Sequence, residues 1–151
     1  MAAEPIRKDI AAEELTWLGR TLDLYVVGER LNPEELIGKL SSLMLFAYPE
    51  GAEIVREGAG GQDLFILHKG SASVIRGGKQ LAKLEPGDLF GEVAFLVGVP
   101  RTATVSAGPG CQAFRCEAKG FEEILSRHPN LLESMRAIAK LRMMKLSTGK
   151  P

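Results

Sequence analysis

Glu92 and Arg101 are the side chains of this sequence best suited to gripping a small ligand. They lie within Phe90–Ala107, which reads Phe-Gly-Glu-Val-Ala-Phe-Leu-Val-Gly-Val-Pro-Arg-Thr-Ala-Thr-Val-Ser-Ala. Gly91 frees the backbone, Glu92–Leu96 can make about one helical turn, Gly98 can end it, and Pro100 stiffens the approach to Arg101. A short helix of this kind presents unpaired backbone N–H groups at its start, which suits an anion. Arg101 brings a planar fork of donors that matches a phosphate. Glu92, while ionised, can only accept hydrogen bonds, so beside a phosphate it needs a hydroxyl between them. An acceptor for a hydroxyl, a cation for a phosphate and backbone donors describe a compact sugar phosphate carrying one charge.

The elements that must position these residues are short. Apolar Leu15, Leu18, Leu22 and Val26 recur at helical steps from about Ala11 to Val27, with Trp17 beside the stripe as a packing anchor. Residues Met1–Lys8 are polar and read as frayed. Asn32-Pro33-Glu34-Glu35 is a helix start, and that helix should run to about Ser42. Then come short apolar runs broken by turn residues: Leu43–Ala47, Glu53–Arg56, Leu64–His68, Ala72–Arg76, Lys79–Leu84, Asp88–Phe90, Thr104–Ala107 and Gln112–Glu117. Gly77-Gly78 is a favoured two-residue hairpin turn. Eight short strands at this spacing predict an antiparallel jelly roll or sandwich. Phe121–Leu125 makes a short helix, and Pro129 opens a longer one reaching about Leu146. Ser147–Pro151 should be a loose tail.

The chain has 151 residues, 45% hydrophobic and 25% charged, with zero formal net charge. That is one domain's worth of ordinary globular material, with no global field for nucleic acid or membrane to follow. No signal-peptide core and no run of roughly 18 apolar residues is present, so the expected location is cytoplasmic. Cys111 and Cys116, at opposite ends of a strand, would stand about 16 Å apart on opposite faces. A disulfide needs Cα atoms within roughly 7 Å, so both are read as free thiols.

The central stretch closely resembles the phosphate-binding cassette of cyclic nucleotide-binding domains, F-G-E-x-A-h-h-x-x-x-x-R-[TSA]-A-[TS]-V with h apolar. Phe90, Gly91, Glu92, Ala94, Phe95, Leu96, Arg101, Thr102, Ala103, Thr104 and Val105 fall on it without a gap. The resemblance covers about Asn32–Leu146, which implies a helical extension over 1–31, a binding domain over 32–146 and a tail over 147–151. It implies a β-roll with N-terminal helices, a short phosphate-binding helix and two C-terminal helices. It places the ribose 2′-hydroxyl on Glu92 and the cyclic phosphate on Arg101, with amides near Gly91 and Ala94 completing the cradle. Val93, Thr102 and Ala103 complete the binding set. The purine is expected against apolar strand residues, Ala82 among them. In many relatives the last helix closes over the ligand and caps the base; Arg142 is the expected cap, with Leu141 and Met135 as alternatives. A hydroxyl at the Thr102 position can contact guanine, yet bacterial cAMP binders also carry Ser or Thr there, so cAMP is favoured over cGMP.

Other readings are weaker. A metal-dependent cupin enzyme needs clustered histidines, whereas only His68 and His128 are present, one in a strand and one at a helix start. Both read as structural, and no metal is expected. No Gly-Lys-[Ser/Thr] ending marks a P-loop. A transcription factor would need a helix-turn-helix after the last long helix, and the sequence stops at Pro151. A ligand-free docking module of the same fold is opposed by intact Glu92 and Arg101. The expected role is a non-enzymatic sensor binding cAMP or cGMP, acting on a protein effector or second copy through its helical segments.

Overall fold

The glycine-punctuated apolar runs form strands because each carries too few residues for a helix and enough apolar side chains to cover a sheet face. The computed structural model describes residues 4–23 and 43–148. In chain order these are β1 Ile6–Lys8, α1 Ala12–Asp23, β2 Met44–Ala47, β3 Glu53–Val55, β4 Leu64–Lys69, β5 Ala72–Arg76, β6 Lys79–Leu84, β7 Leu89–Phe90, α2 Glu92–Val97, β8 Thr104–Ala107, β9 Gln112–Cys116, α3 Ala118–Arg127 and α4 Pro129–Thr148. The helix expected over Asn32–Ser42, the first helix beyond Asp23 and the residues after Thr148 lie outside the described residues; Ser147 and Thr148, expected to open the tail, are instead the last residues of α4.

Antiparallel pairing assembles two sheets, one of order β1-β2-β9-β4-β7 and one of order β3-β8-β5-β6. The described strands number nine rather than eight. The extra one is β1, in a segment read as frayed. Its side chains are all exposed, so no apolar alternation announces it. It is held through its register with β2, Ile6 opposite Ala47 and Lys8 opposite Leu45.

Strand β4, inside the five-stranded sheet, is buried on both faces, which explains why it reads Leu-Phe-Ile-Leu without alternation. Its Leu64 and Ile66 join a core with Leu18 and Leu22 of α1, Phe121 of α3 and Leu131 and Met135 of α4. Its Phe65 and Leu67 face the other way, into the roll, against Val55, Leu84, Phe90 and Val105. Cys116 belongs to the first core and Cys111 to the second. Both are free and buried, and burial pushes their thiols up to about 12 and about 11.

Helix α1 is an integral part of the helical layer. Leu18 and Leu22 are each 1% exposed, and full burial of such a side chain contributes about 1.5–3 kcal/mol. Trp17 stacks on Phe114, with ring centroids 6.1 Å apart, and meets His68 edge-on at 4.5 Å. His68 Nε2 lies 3.1 Å from Glu14 Oε2. A carboxylate only accepts, so the neutral ring carries its proton on Nε2 and donates it. Leu96 of α2 packs against the same core, so the cassette helix and the last helix share one apolar layer.

Candidate functional site

Arg101 follows α2 and leads into β8, and its backbone is fixed before its side chain does anything. Its N–H donates to Ala59 O at 2.9 Å, and Gly58 N–H donates to Arg101 O at 2.8 Å. Thr104 Oγ1 accepts from Glu57 N–H at 3.0 Å. The glycine-rich loop after β3 is thereby sewn to the segment carrying Arg101.

The guanidinium points inward, and Arg101 is only 7% exposed. Nη1 donates to Gly91 O at 3.3 Å and Nη2 to Asp63 O at 3.1 Å. Its central carbon lies 5.8 Å from the centroid of Phe65, which stacks on Phe90 at 5.0 Å. A guanidinium has five N–H donors, and these two bonds leave three. Burial lowers the Arg101 pKa below its ordinary value; the Asp63 carboxylate opposes the shift, Arg115 adds to it, and Glu92 opposes it.

Gly91 occupies a place only glycine fits. Its φ is +84°, and a Cβ there would lie 2.7 Å from Asp63 O and 2.9 Å from Arg101 Nη1. This close approach brings the start of α2 down onto Arg101. Glu92, the first residue of α2, is 1% exposed, and Ala94 is 2% exposed. Val93 lies in the same helix. Thr102 is half-buried and Ala103 is buried. Arg101 therefore lies against the start of α2, with the Glu92 carboxylate close enough to act on its charge.

The residues expected to meet a base are arranged differently. Ala82 sits on β6 opposite Val74 of β5, which in turn faces Val105 of β8. Val105 is buried, Val74 is half-buried and Ala82 is exposed, so this apolar row opens to solvent at Ala82. Leu141 is 61% exposed on α4, whereas Met135 is fully buried and belongs to the core. Arg142 follows Leu141 on α4, its side chain outside the described residues.

Three contributors escaped the sequence reading. Asp63, just before β4, offers its carbonyl to Arg101, and Arg115 on β9 binds the Asp63 carboxylate through Nε at 2.8 Å and Nη2 at 2.6 Å. Gly61, with φ +123°, sits where a Cβ would lie 3.4 Å from Arg101 Nη2 and 3.7 Å from Nε. Gly61 and Asp63 share the loop before β4 while Arg115 comes from β9, and only the Gly60-Gly61 pair could have drawn notice. An open cleft of about 430 Å³ reaches this group, with Tyr48, Arg56, Gly61, Phe65, Arg101 and Arg115 among its walls. Glu92, Ala94 and Ala82 are not among them. In its lining, Arg56 pairs with Glu53 and Arg115 with Asp63; Arg101 bonds only to carbonyls. Burial pushes the Tyr48 phenol up to about 12. Among the described residues no three His, Cys, Asp or Glu side chains gather as metal ligands would, and no helix is long and apolar enough to cross a membrane.

The sequence model of the cyclic nucleotide-binding domain matches residues 45–128. The chain is 29% identical over 136 residues to the potassium/sodium hyperpolarization-activated cyclic nucleotide-gated channel 1 of Oryctolagus cuniculus, covering 90% of this chain and 15% of the channel. It thus spans a small part of that relative. A cyclic nucleotide-binding domain from Methylobacillus flagellatus superposes with a TM-score of 0.73 over 97% of this chain and 83% of its own; at 20% identity this is a likeness of fold. The regulatory domain of Toxoplasma gondii PKA, solved with cAMP, gives a TM-score of 0.62 at 26% identity over 88% of this chain and 48% of its own.

Proposed function

The chain belongs to the cyclic nucleotide-binding domain family, and from that premise we propose that it is a regulatory sensor for a cyclic mononucleotide, cAMP in preference to cGMP. The observation that carries the reading is the state of Arg101. A guanidinium only 7% exposed, bonded to two carbonyls and to no carboxylate among the described residues, is a buried cation with donors left for an anion. Burying a charge is costly unless it is paired, and a cyclic phosphate supplies one negative charge and two oxygens for the remaining donors. Glu92 takes the ribose hydroxyl. The purine covers the apolar row at Ala82 and Val74.

Thr102 could add one neutral hydrogen bond to guanine, which contributes only about 1 kcal/mol. That is too little to make the site a cGMP site by itself. Closure of α4 over the ligand, with Arg142 or Leu141 reaching the base, then shifts the domain between two states. The ligand shifts them only by its difference in affinity. A protein effector or a second copy reads the change through the helices.

Titration calorimetry on ligand-free protein with cAMP, cGMP and cyclic di-GMP side by side tests the reading. The expected result is saturable binding of cAMP, with weaker cGMP. Removing the cation from a buried phosphate costs about 2–5 kcal/mol, so Arg101→Ala should raise Kd roughly 30- to 5,000-fold. Equal binding by parent and Arg101→Ala would place the phosphate elsewhere.

A further inference from the structure

Arg101 is held by a residue that is itself held. Asp63 gives its backbone oxygen to Arg101 Nη2, and both Nε and Nη2 of Arg115 donate to its carboxylate oxygen Oδ2. Arg115 sits on β9 between two partners, opposite Met44 of β2 and Phe65 of β4, so the far end of this chain of contacts is anchored in the middle of a sheet. Asp63 lies in the short connection that enters β4 and has no ladder partner of its own. Among the described residues, the Arg115 clamp is the side-chain contact that fixes the direction of the Asp63 carbonyl.

The ion pair is poorly placed to stabilise the fold. The Arg115 side chain is 42% exposed and that of Asp63 22%, and pairs this open to solvent contribute little. What the pair does control is geometry. The Asp63 carbonyl and the Gly91 carbonyl together fix the plane of the Arg101 guanidinium. Gly61, lacking a side chain, leaves the Nε–Nη2 edge uncrowded.

We infer that Arg115 and Asp63 are positioning residues for Arg101: the clamp on the Asp63 carboxylate keeps its carbonyl against Nη2 and so orients the donors that meet the phosphate. This rests on the reading of Arg101 as the phosphate ligand. Neither residue touches the nucleotide in this scheme. Both act through Arg101, which sets their signature apart from that of a general stabilising contact.

A double-mutant cycle separates the two. cAMP affinity is measured by calorimetry for the parent, Arg115→Met, Arg115→Lys, Arg101→Lys and the Arg115→Met/Arg101→Lys pair, with thermal unfolding of each. Arg115→Met should weaken cAMP about tenfold, the size of one charge-assisted hydrogen bond, with little change in unfolding midpoint. Arg115→Lys keeps the charge without the planar fork and should recover part of the loss. In the Arg101→Lys background, Arg115→Met should cost less than about twofold. Equal losses in both backgrounds, or an Arg115→Met protein that binds like the parent, would overturn the inference.

The ligand-free protein supplies a second readout. The Arg101 Nη2 resonances should be resolved by slow rotation about the Cζ–Nη2 bond in the parent and Arg115→Lys, and averaged in Arg115→Met. An unchanged resonance in Arg115→Met sinks the positioning role alone. A parent protein that ignores both cAMP and cGMP sinks the functional reading, and the resonance still reports on the clamp.

Discussion

Gly91 and Gly98 flank α2, and they make a controlled comparison of what one methyl group does at the site. Both have positive φ, +84° and +74°, a region that costs an L-residue roughly 1–2 kcal/mol. Their surroundings differ. A Cβ on Gly98 meets nothing within 4 Å, whereas one on Gly91 runs into Asp63 O and Arg101 Nη1. Gly98→Ala should therefore lose about 1 kcal/mol of stability and keep its affinity for cAMP. Gly91→Ala should lose more, about 2–3 kcal/mol, and bind at least about tenfold more weakly because Arg101 is displaced. Urea unfolding and calorimetry on the two variants read this directly; equal affinities would detach Gly91 from the ligand. The importance of Gly91 was legible in the sequence because glycine, acid and arginine stand close together along the chain. Asp63 and Arg115 were not. Their partnership joins the loop before β4 to β9, 52 residues further on, and Arg115 reads as an ordinary outward-facing cation.

At the scale of elements, legibility followed how local each signal was. Strands β5 and β6 and the Gly77-Gly78 turn between them match their expected bounds, since hairpin chemistry and apolar runs act within a few residues. Strand β1 carries no such pattern and exists through pairing with β2. The docking of α1 was half legible: its Leu18 and Leu22 stripe was visible, but the seat of Trp17 against His68 depends on a strand distant in sequence. That seat has a pH dependence. His68 Nδ1 is buried without a hydrogen-bond partner among the described residues. Burial lowers the His68 pKa below 6.5; Glu14 opposes through its charge and its hydrogen bond, while Lys69 and Lys8 add to the lowering. The unfolded chain then binds the proton more readily than the folded one. Stability should be full above about pH 6.5 and fall as pH drops toward the lowered value. Urea midpoints between pH 8 and pH 5, followed by the fluorescence of Trp17, the only tryptophan, should show this loss. His68→Phe should flatten that part of the profile. An identical slope in the variant would assign the loss to other groups.

The whole molecule joins its site to its helices through one layer. Arg101 and Gly91 fix the start of α2; Leu96 of α2 packs against the core cluster that contains Leu18 and Leu22 of α1 and Leu131 and Met135 of α4. A ligand seated at Arg101 is thus tied to the same apolar contacts that hold the first and last helices on the sheet, and its binding energy should appear as stability of the whole domain. A ligand that binds only the folded chain adds about 2.7 kcal/mol at one hundred times its Kd. For a domain of this size, each kcal/mol moves the midpoint by about 2–4 °C, so saturating cAMP should raise Tm by about 5–10 °C. Arg101→Ala at the same cAMP concentration should lose most of that rise. Repeating the scans over a hundredfold range of protein concentration separates the two proposed outputs. A midpoint that climbs with protein concentration only when cAMP is present means that ligand drives a second copy onto the helices. A ligand-dependent rise that ignores protein concentration means that the message passes to a different partner, and no rise at all in the parent removes cAMP as the ligand.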